Sequence, residues 1–299
     1  MAFSCGNILL SNIRPYLKKV WKATFNGGCS SDVFVLQANS NIDADYLHYV
    51  VANDKFIGFV MNGAKGVKMP RGDKNQMKTY SLSLPSIKEQ RKISRFLSFL
   101  DERIAVQNRL IEKYESLIKA LRHHLFSTLE SVKEVPVADL LSYEQPTKYI
   151  VSDTEYSNNT DLTPVLTANK AFILGYTDEV EGIYDKGPCI ILDDFTLDFK
   201  IVEFPFKVKS SAIKILSAKT TVSLRYIFEY LKFLDLNTEE HKRHYIAEIE
   251  PMSIELPEED TIKSIAFLFD LMDKRRKGLE RDQQLLKSQK DYLLREIFI

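Results

Sequence analysis

Apolar positions in the stretch that opens at Leu84 recur in a 4-3-4-3 rhythm: Ile93, Leu97, Leu100, Ile104, Gln107, Ile111, Tyr114, Ile118, Leu121 and Leu125. That spacing is the seam of a coiled coil, with the charged residues between on the outer face. A second stretch opens at Leu256 and keeps part of the seam: Met272, Leu279, Leu286, Leu293 and Ile297. Arg276, Gln283 and Lys290 stand where apolar knobs are expected. Polar residues at such positions set register more often than they add stability. Each stretch starts with Leu-Pro, and proline is tolerated in a first helical turn. About 40 helical residues at ~1.5 Å rise predict a rod of roughly 60 Å. Two such rods in one chain, separated by a globular segment, pair most simply side by side.

The two stretches are copies of one another. They align without gaps at a shift of 172 residues: Leu84 meets Leu256, Pro85 meets Pro257, Asp101 meets Asp273 and Phe126 meets Phe298. The repeat continues upstream. SSDVFVL from Ser30 resembles SSAIKIL from Ser210, IDADYLHYVV from Ile42 resembles VSLRYIFEYL from Val222, and NILLSN from Asn7 resembles CIILDD from Cys189. Each globular unit therefore reads as strand-like runs, a short helix, and a strand leading into Leu-Pro. The match begins only near Cys189, although the second unit starts near Val135. The first unit is therefore expected to lack a counterpart of roughly Val135–Pro188.

Composition narrows the picture less. The chain has 299 residues, 44% hydrophobic, with formal net charge zero and a pI near 7. That is core enough for two ordinary domains, and bulk charge does not point to a nucleic-acid partner. Three cysteines, Cys5, Cys29 and Cys189, without CxxC spacing argue against a disulfide framework or a zinc site and fit a reducing, cytoplasmic setting. No run approaches the roughly 20 apolar residues of a membrane span, and no basic n-region of a signal peptide stands at the start.

The repeated order, with LPSIKEQRKI at Leu84–Ile93, its degenerate copy LPEEDTIKSI at Leu256–Ile265, and the runs GNILLSNIRPYLKKVWKATFNGGCSSDVFVLQ and MNGAKGVKMPRGDK, resembles the specificity subunits of type I restriction–modification systems. The resemblance covers nearly the whole chain, and its specificity lies in the combination. It implies an α+β fold: two target recognition domains, one partial, joined by two long antiparallel coiled-coil helices. On that reading residues 1–83 are a partial first recognition domain, 84–130 the first long helix, 131–255 the second recognition domain and 256–299 the second long helix. The resemblance further implies a non-catalytic subunit that reads a bipartite target in double-stranded DNA. Methyltransferase subunits would dock on the helices and a restriction subunit would join them. S-adenosylmethionine, ATP and magnesium are expected on those partners, with no cofactor in this chain. Two alternatives stay open: a truncated subunit that no longer reads DNA and serves as scaffold or recombination donor, or the C-terminal specificity part of a fused restriction–methyltransferase.

If the chain reads DNA, lysines and arginines should hold phosphates and loop side chains should read bases. Residues 1–80 carry ten basic against five acidic residues. Gly63–Lys78 is the most basic loop, with Lys65, Lys68, Arg71, Lys74 and Lys78, and Arg71 is the expected base reader because its fork holds guanine in two places. Arg14, Lys18 and Lys19 form a second group. In the second unit the candidates are Thr167, Asn169 and Lys170, then Lys207, Lys209, Ser210 and Ser211; alternation puts Lys207 and Lys209 on one face of a strand, as a groove wall requires. A solvated surface explains each group as simply. Asp193 and Asp194 could pair on a metal, but acidic pairs in loops more often cap a turn or orient a lysine. His241 and His244 lack a third ligand nearby; His123 and His124 sit where a positive charge suits a helix end. The helix-pair interface is expected at Leu97, Leu100, Ile104, Ile111, Tyr114, Ile118, Leu121, Met272, Leu279, Leu286 and Leu293. No phosphate-binding loop, dinucleotide fingerprint, methyltransferase Asn/Asp-Pro-Pro-Tyr/Phe segment, H-E-x-x-H or G-x-S-x-G is present, so the chemistry is expected to come from partners.

Overall fold

The computed structural model describes residues 1–167, 172–236 and 244–298. It mixes helix and sheet, and the chain forms two compact units: residues 1–112 with 278–299, and residues 113–277. Among the described residues no helix is long and apolar enough to cross a membrane.

The first unit is built on a small antiparallel sheet. β1 (Ala2–Phe3) pairs with β4 (Gly27–Gly28), and β2 (Ile8–Ser11) lies between β3 (Val20–Lys22) and β5 (Val33–Leu36). Alternation along β2 decides its two faces. Ile8 and Leu10 pack with Phe34 and Leu36 against Val51, Phe56, Ile57 and Val60, from helices α1 (Ala44–Ala52) and α2 (Asp54–Asn62). Leu9 faces the other way, toward Phe3, Val33 and Val35. Asp43 caps α1 by accepting from the backbone N–H groups of Asp45 and Tyr46. A short α3 (Lys74–Lys78) follows, then α4 (Ile87–Ser127).

α4 starts two residues beyond Pro85, so the proline lies outside the first turn in which the sequence placed it. Pro85 precedes the cap, and Ser86 and Glu89 form a capping box: the Glu89 carboxylate accepts from Ser86 N–H at 3.0 Å, and Ser86 Oγ accepts from Glu89 N–H at 3.4 Å. The next residue, Gln90, is fully buried. Its amide donates to the carbonyls of Asn41 (3.0 Å) and Pro85 (2.9 Å), and its oxygen accepts from Asp43 N–H (2.8 Å). The glutamine thus fastens the helix entry to the start of α1. In the second copy the same place is Ile262, also buried, and apolar packing takes over.

The second unit opens with β6 (Lys133–Pro136), α5 (Val137–Leu140) and β7 (Leu141–Glu144), then β8 (Thr163–Leu166) and β9 (Ile173–Thr177). β10 (Cys189–Asp193), β11 (Phe199–Val202), β12 (Lys207–Val208), β13 (Ile213–Ala218), α6 (Leu224–Phe233), β14 (Ser253–Leu256) and α7 (Glu259–Ile297) complete it. Its main sheet has the order β11-β10-β13-β7, and a second sheet has the order β12-β8-β9. β12 runs parallel to β8, while β14 pairs antiparallel with β6. The strand leading into Leu-Pro therefore exists in this unit. Its counterpart in the first unit, Ser81–Leu84, forms no ladder among the described residues.

The sequence repeat is a structural one. Leu9 lies opposite Val35 as Ile191 lies opposite Ile215, and Ser11 lies opposite Val33 as Asp193 lies opposite Ile213. Lys18 and Leu197 occupy the same place in the turn that follows, both with left-handed backbone, at φ 49° and 57°. That turn is a constraint of the hairpin.

The two long helices pack antiparallel within each unit. In the first, Gln107 Nε2 donates to the Leu279 carbonyl (2.8 Å), Gln283 Nε2 to Asn108 Oδ1 (2.6 Å), and Lys290 pairs with Asp101. Leu97 and Leu100 are buried with Tyr46 and Phe298, and Leu293 packs at their margin. Ile104 and Leu286 are half-buried, while Ile111 and Leu279 are buried. In the second unit Tyr114, Ile118 and Leu121 pack at the edge of a core holding Phe126, Ile265, Phe269 and Met272. Each polar residue at the seam has a polar partner: Gln283 with Asn108, Lys290 with Asp101, Arg276 with Asp273. Asp101 and Asp273, equivalent in the repeat, each tie a long helix to the short helix of its own unit. Tyr49 Oη donates to Asp101 at 2.9 Å, and Arg225 faces Asp273 at 3.6 Å.

Candidate nucleic-acid interface

At the far end of β2 in the first unit the chain turns sharply, and the loop between α2 and α3 is laced to that turn. Arg14 N–H donates to Pro70 O (2.8 Å), Gly72 N–H to Asn12 O (3.1 Å), and Lys65 and Arg71 exchange backbone bonds of 2.9 Å. The strap 65–71 is thereby a short closed hairpin, with Gly66 at φ 94° supplying the bend. Gly72 fits because its neighbours leave no room: a Cβ there would stand 2.9 Å from Val60 Cγ1 and 3.2 Å from the Phe34 ring. Two basic clusters remote in sequence, around Arg14 and around Lys65–Lys74, thus share one rim.

The charges on that rim differ in their freedom. Arg71 Nη1 holds Asp32 at 2.7 Å, Lys65 reaches Asp73 at 3.4 Å, and Lys18 holds Asp54 at 2.5 Å. Among the described residues nothing pairs with Lys19, Lys68 or Lys74, and all three are exposed. Asp73 is itself occupied as the cap of α3. Its carboxyl is held below the ordinary value, first by the N–H groups of Gln76 and Asn75 and then by Lys65. Arg14 has left-handed backbone at φ 51°, and its Nε is buried with no hydrogen-bond partner. Such strain persists only where the surroundings enforce it. The strap also carries two residues the sequence reading passed over, Val67 and Met69, both exposed at its tip. The Gly-Val-Lys-Met-Pro spacing signals a turn but not which side chains it projects.

In the second unit the candidates separate. Lys207 is not on a groove wall. Its side chain is 4% exposed, bonded to Glu179 at 2.7 Å and to the Glu181 carbonyl at 2.5 Å. Alternation failed here because β12 is only two residues long and both are buried under neighbouring segments. Lys209 and Ser210 are exposed, and Lys209 N–H donates to Leu166 O at 2.9 Å. Ser211 is half-buried and Thr167 buried. Asn169, Lys170 and His241 lie outside the described residues.

The acidic pair takes the two plain roles. Asp193 accepts from Phe195 and Thr196 N–H, capping a turn. Asp194 accepts from His244 and Tyr245 N–H at 3.0 and 2.9 Å and faces the buried Lys214 at 3.4 Å. His244 is buried beside Glu248, at 2.9 Å. His123 lies against Ser127 and the Phe233 ring. Among the described residues no group of three His, Cys, Asp or Glu side chains is placed to hold a metal ion. Burial pushes the Cys189 thiol up to about 12, so it is a packing residue.

Residues 8–116 match the family described as the type I restriction modification DNA specificity domain. The chain is 43% identical over 132 residues to the Escherichia coli type I restriction enzyme EcoR124I/EcoR124II specificity subunit, a match covering 42% of this chain and 32% of that protein. It is 33% identical over 93 residues to the Escherichia coli EcoDI specificity subunit, covering 31% of this chain and 20% of that one. The matches thus span a third or less of these relatives. Among solved structures, the type I system S subunit from M. genitalium superposes with a TM-score of 0.64 at 16% identity, over 99% of this chain and 83% of that one. A chain from a study of type I restriction–modification complex assembly gives 0.59 at 16% identity, over 99% and 82%. At that identity the likeness concerns the fold.

Proposed function

We propose that the chain is a specificity subunit of a type I restriction–modification system, which recognises double-stranded DNA and carries the system's other subunits without doing chemistry itself. The observation that carries this reading is the position of the basic rim: Arg14, Lys65, Lys68, Arg71 and Lys74 all fall inside residues 8–116, the specificity-domain match. Lys19, Lys68 and Lys74 are exposed cations for phosphates, whose contacts fix register. Arg71, aligned by Asp32, is the base reader, by two bonds to guanine. In the second unit Lys209 and Ser210, with Asn169 and Lys170, serve a second half-site. The recognition domains are residues 1–83 and 131–255, and helices 84–130 and 256–299 form the antiparallel coiled-coil pair that spaces them. Methyltransferase subunits dock on this pair and bring S-adenosylmethionine; a restriction subunit brings ATP and magnesium.

The test is co-purification with a type I methyltransferase subunit, followed by methylation mapping with and without this chain. A split methylated motif that depends on the chain is the expected result. A stable complex that leaves no motif would remove DNA recognition from the proposal, and failure to form any complex would remove the scaffold role.

A further inference from the structure

The second copy of the repeated sheet shows what its first copy leaves open. In the second unit β13 takes β7 along its outer edge, with Ile215 opposite Glu144 and Ser217 opposite Ser142. Ile191, Ile213 and Ile215 are then buried beneath Tyr149, Leu166, Tyr184 and Phe206. In the first unit the equivalent positions are Leu9, Val33 and Val35, but among the described residues β5 is an edge strand bonded to β2 alone. Phe3, which pairs with Gly27 as Tyr184 pairs with Phe206, packs with them beside the small side chains of Ala23 and Cys29. Val33 and Val35 remain half-exposed, and Trp21 and Phe25 beside them are 39% and 59% exposed. An open edge beside a part-covered apolar face is a template for strand addition.

We infer that this face of the first unit takes up a β-strand polypeptide module of the kind that residues 141–177 form in the second unit. One strand joins β5 antiparallel along Val35–Ala38, and apolar and aromatic side chains close over Leu9, Trp21, Val33 and Val35. The occupant is a polypeptide because the repeat supplies both halves of its recognition. Glu144 and Ser142 mark the register of the added strand, and Tyr149 and Leu166 mark the side chains that meet branched aliphatics. Aliphatic residues stand at the same lattice points in both copies, so the cover of one is a workable cover for the other.

Trp21 is the chain's single tryptophan, so its emission reads this face. Two proteins are compared: the full chain, and the full chain with a copy of residues 135–182 joined ahead of Met1 by a Gly/Ser linker, which keeps the module at high effective concentration. The expected result is a shift of Trp21 emission to shorter wavelength and a several-fold loss of acrylamide quenching in the second protein only. Gln37→Pro should reverse both. It removes an edge N–H just beyond the β2 pairing, and unchanged far-UV circular dichroism verifies the fold. Equal quenching in the two proteins overturns the inference. So does protection of Trp21 in the unmodified chain that grows with its concentration, which would assign the face to a second copy. Quenching of Trp21 by single-stranded oligo-dT would assign it to base stacking and likewise overturn it.

Discussion

Replacing Gln90 by alanine removes three hydrogen bonds that hold the entry of α4 to the start of α1: two donated, to Asn41 and Pro85, and one accepted, from Asp43. Each is worth about 0.5–1.5 kcal/mol net. Three such bonds give about 3 kcal/mol, reduced to ~2–3 kcal/mol because Asn41 lies at the surface and water can reach its carbonyl. With a urea m-value of about 2 kcal/mol/M, the midpoint should fall by ~1–1.5 M. Trp21 lies in the same compact unit, so its fluorescence follows the transition that matters. Gln90→Glu should cost at least as much, since the new carboxylate faces two carbonyl oxygens and can donate to neither. A Gln90→Ala midpoint within ~0.3 M of the wild type would refute the reasoning and reduce the glutamine to a space-filler.

Other consequences can be checked in the same way. Glu229, buried against Arg122 at 2.7 Å and Arg225 at 3.4 Å, should cost ~2–3 kcal/mol when changed to alanine, because the part-buried Arg122 loses its carboxylate while Arg225 keeps Asp270 and Asp273; hydrogen exchange in α6 reads the loss, and unchanged protection there would sink the idea. The Glu179 carboxyl is held below its usual value, first by its bond to Lys207. Its depressed folded pKa means that this contribution is full above the unfolded value of about 4.3 and is lost as pH falls through the folded one. Glu179→Gln should therefore flatten the acid limb of the stability–pH curve, and an unaltered limb would contradict it. Lys68→Ala should lower the salt dependence of DNA binding by about one unit of slope on all sequences, while Arg71→Ala should relax preference at one base pair; the reverse pattern in fluorescence anisotropy would exchange their roles.

What could be read from the sequence was the part governed by local period and by the repeat. The heptad spacing of Leu97, Leu100, Ile111 and Leu279 marks residues that are buried in the structure, and the matching runs at Ile8 and Ile190 mark equivalent strands in the same register. The seam polarity was legible as well: Gln283 and Lys290 have partners on α4, though not which ones. The roles set by long-range contact were hidden. Lys207 looked exposed because strand alternation says nothing about Glu179, and Gln90 looked like one more polar residue on a helix. The rim around Arg14 and Arg71 was legible as two basic groups, but their joining rests on backbone bonds from Asn12 and Pro70 that leave no compositional trace.

Each compact unit takes part of both long helices, and the first is completed by residues 278–299. Phe298 is buried against Tyr46 near the other end of the chain, and Asn53 donates to the Leu294 carbonyl at 2.9 Å. On a ribosome the first unit must therefore wait for its last helix. At roughly 5–20 residues per second, the 165 residues between Glu112 and Gly278 take on the order of 10–30 s to make. Over that interval the surface around Tyr46 and Asn53 stands uncovered, so the order of synthesis and the order of folding run in opposite directions. Chaperone occupancy of the nascent chain should peak after the second unit has emerged, not before.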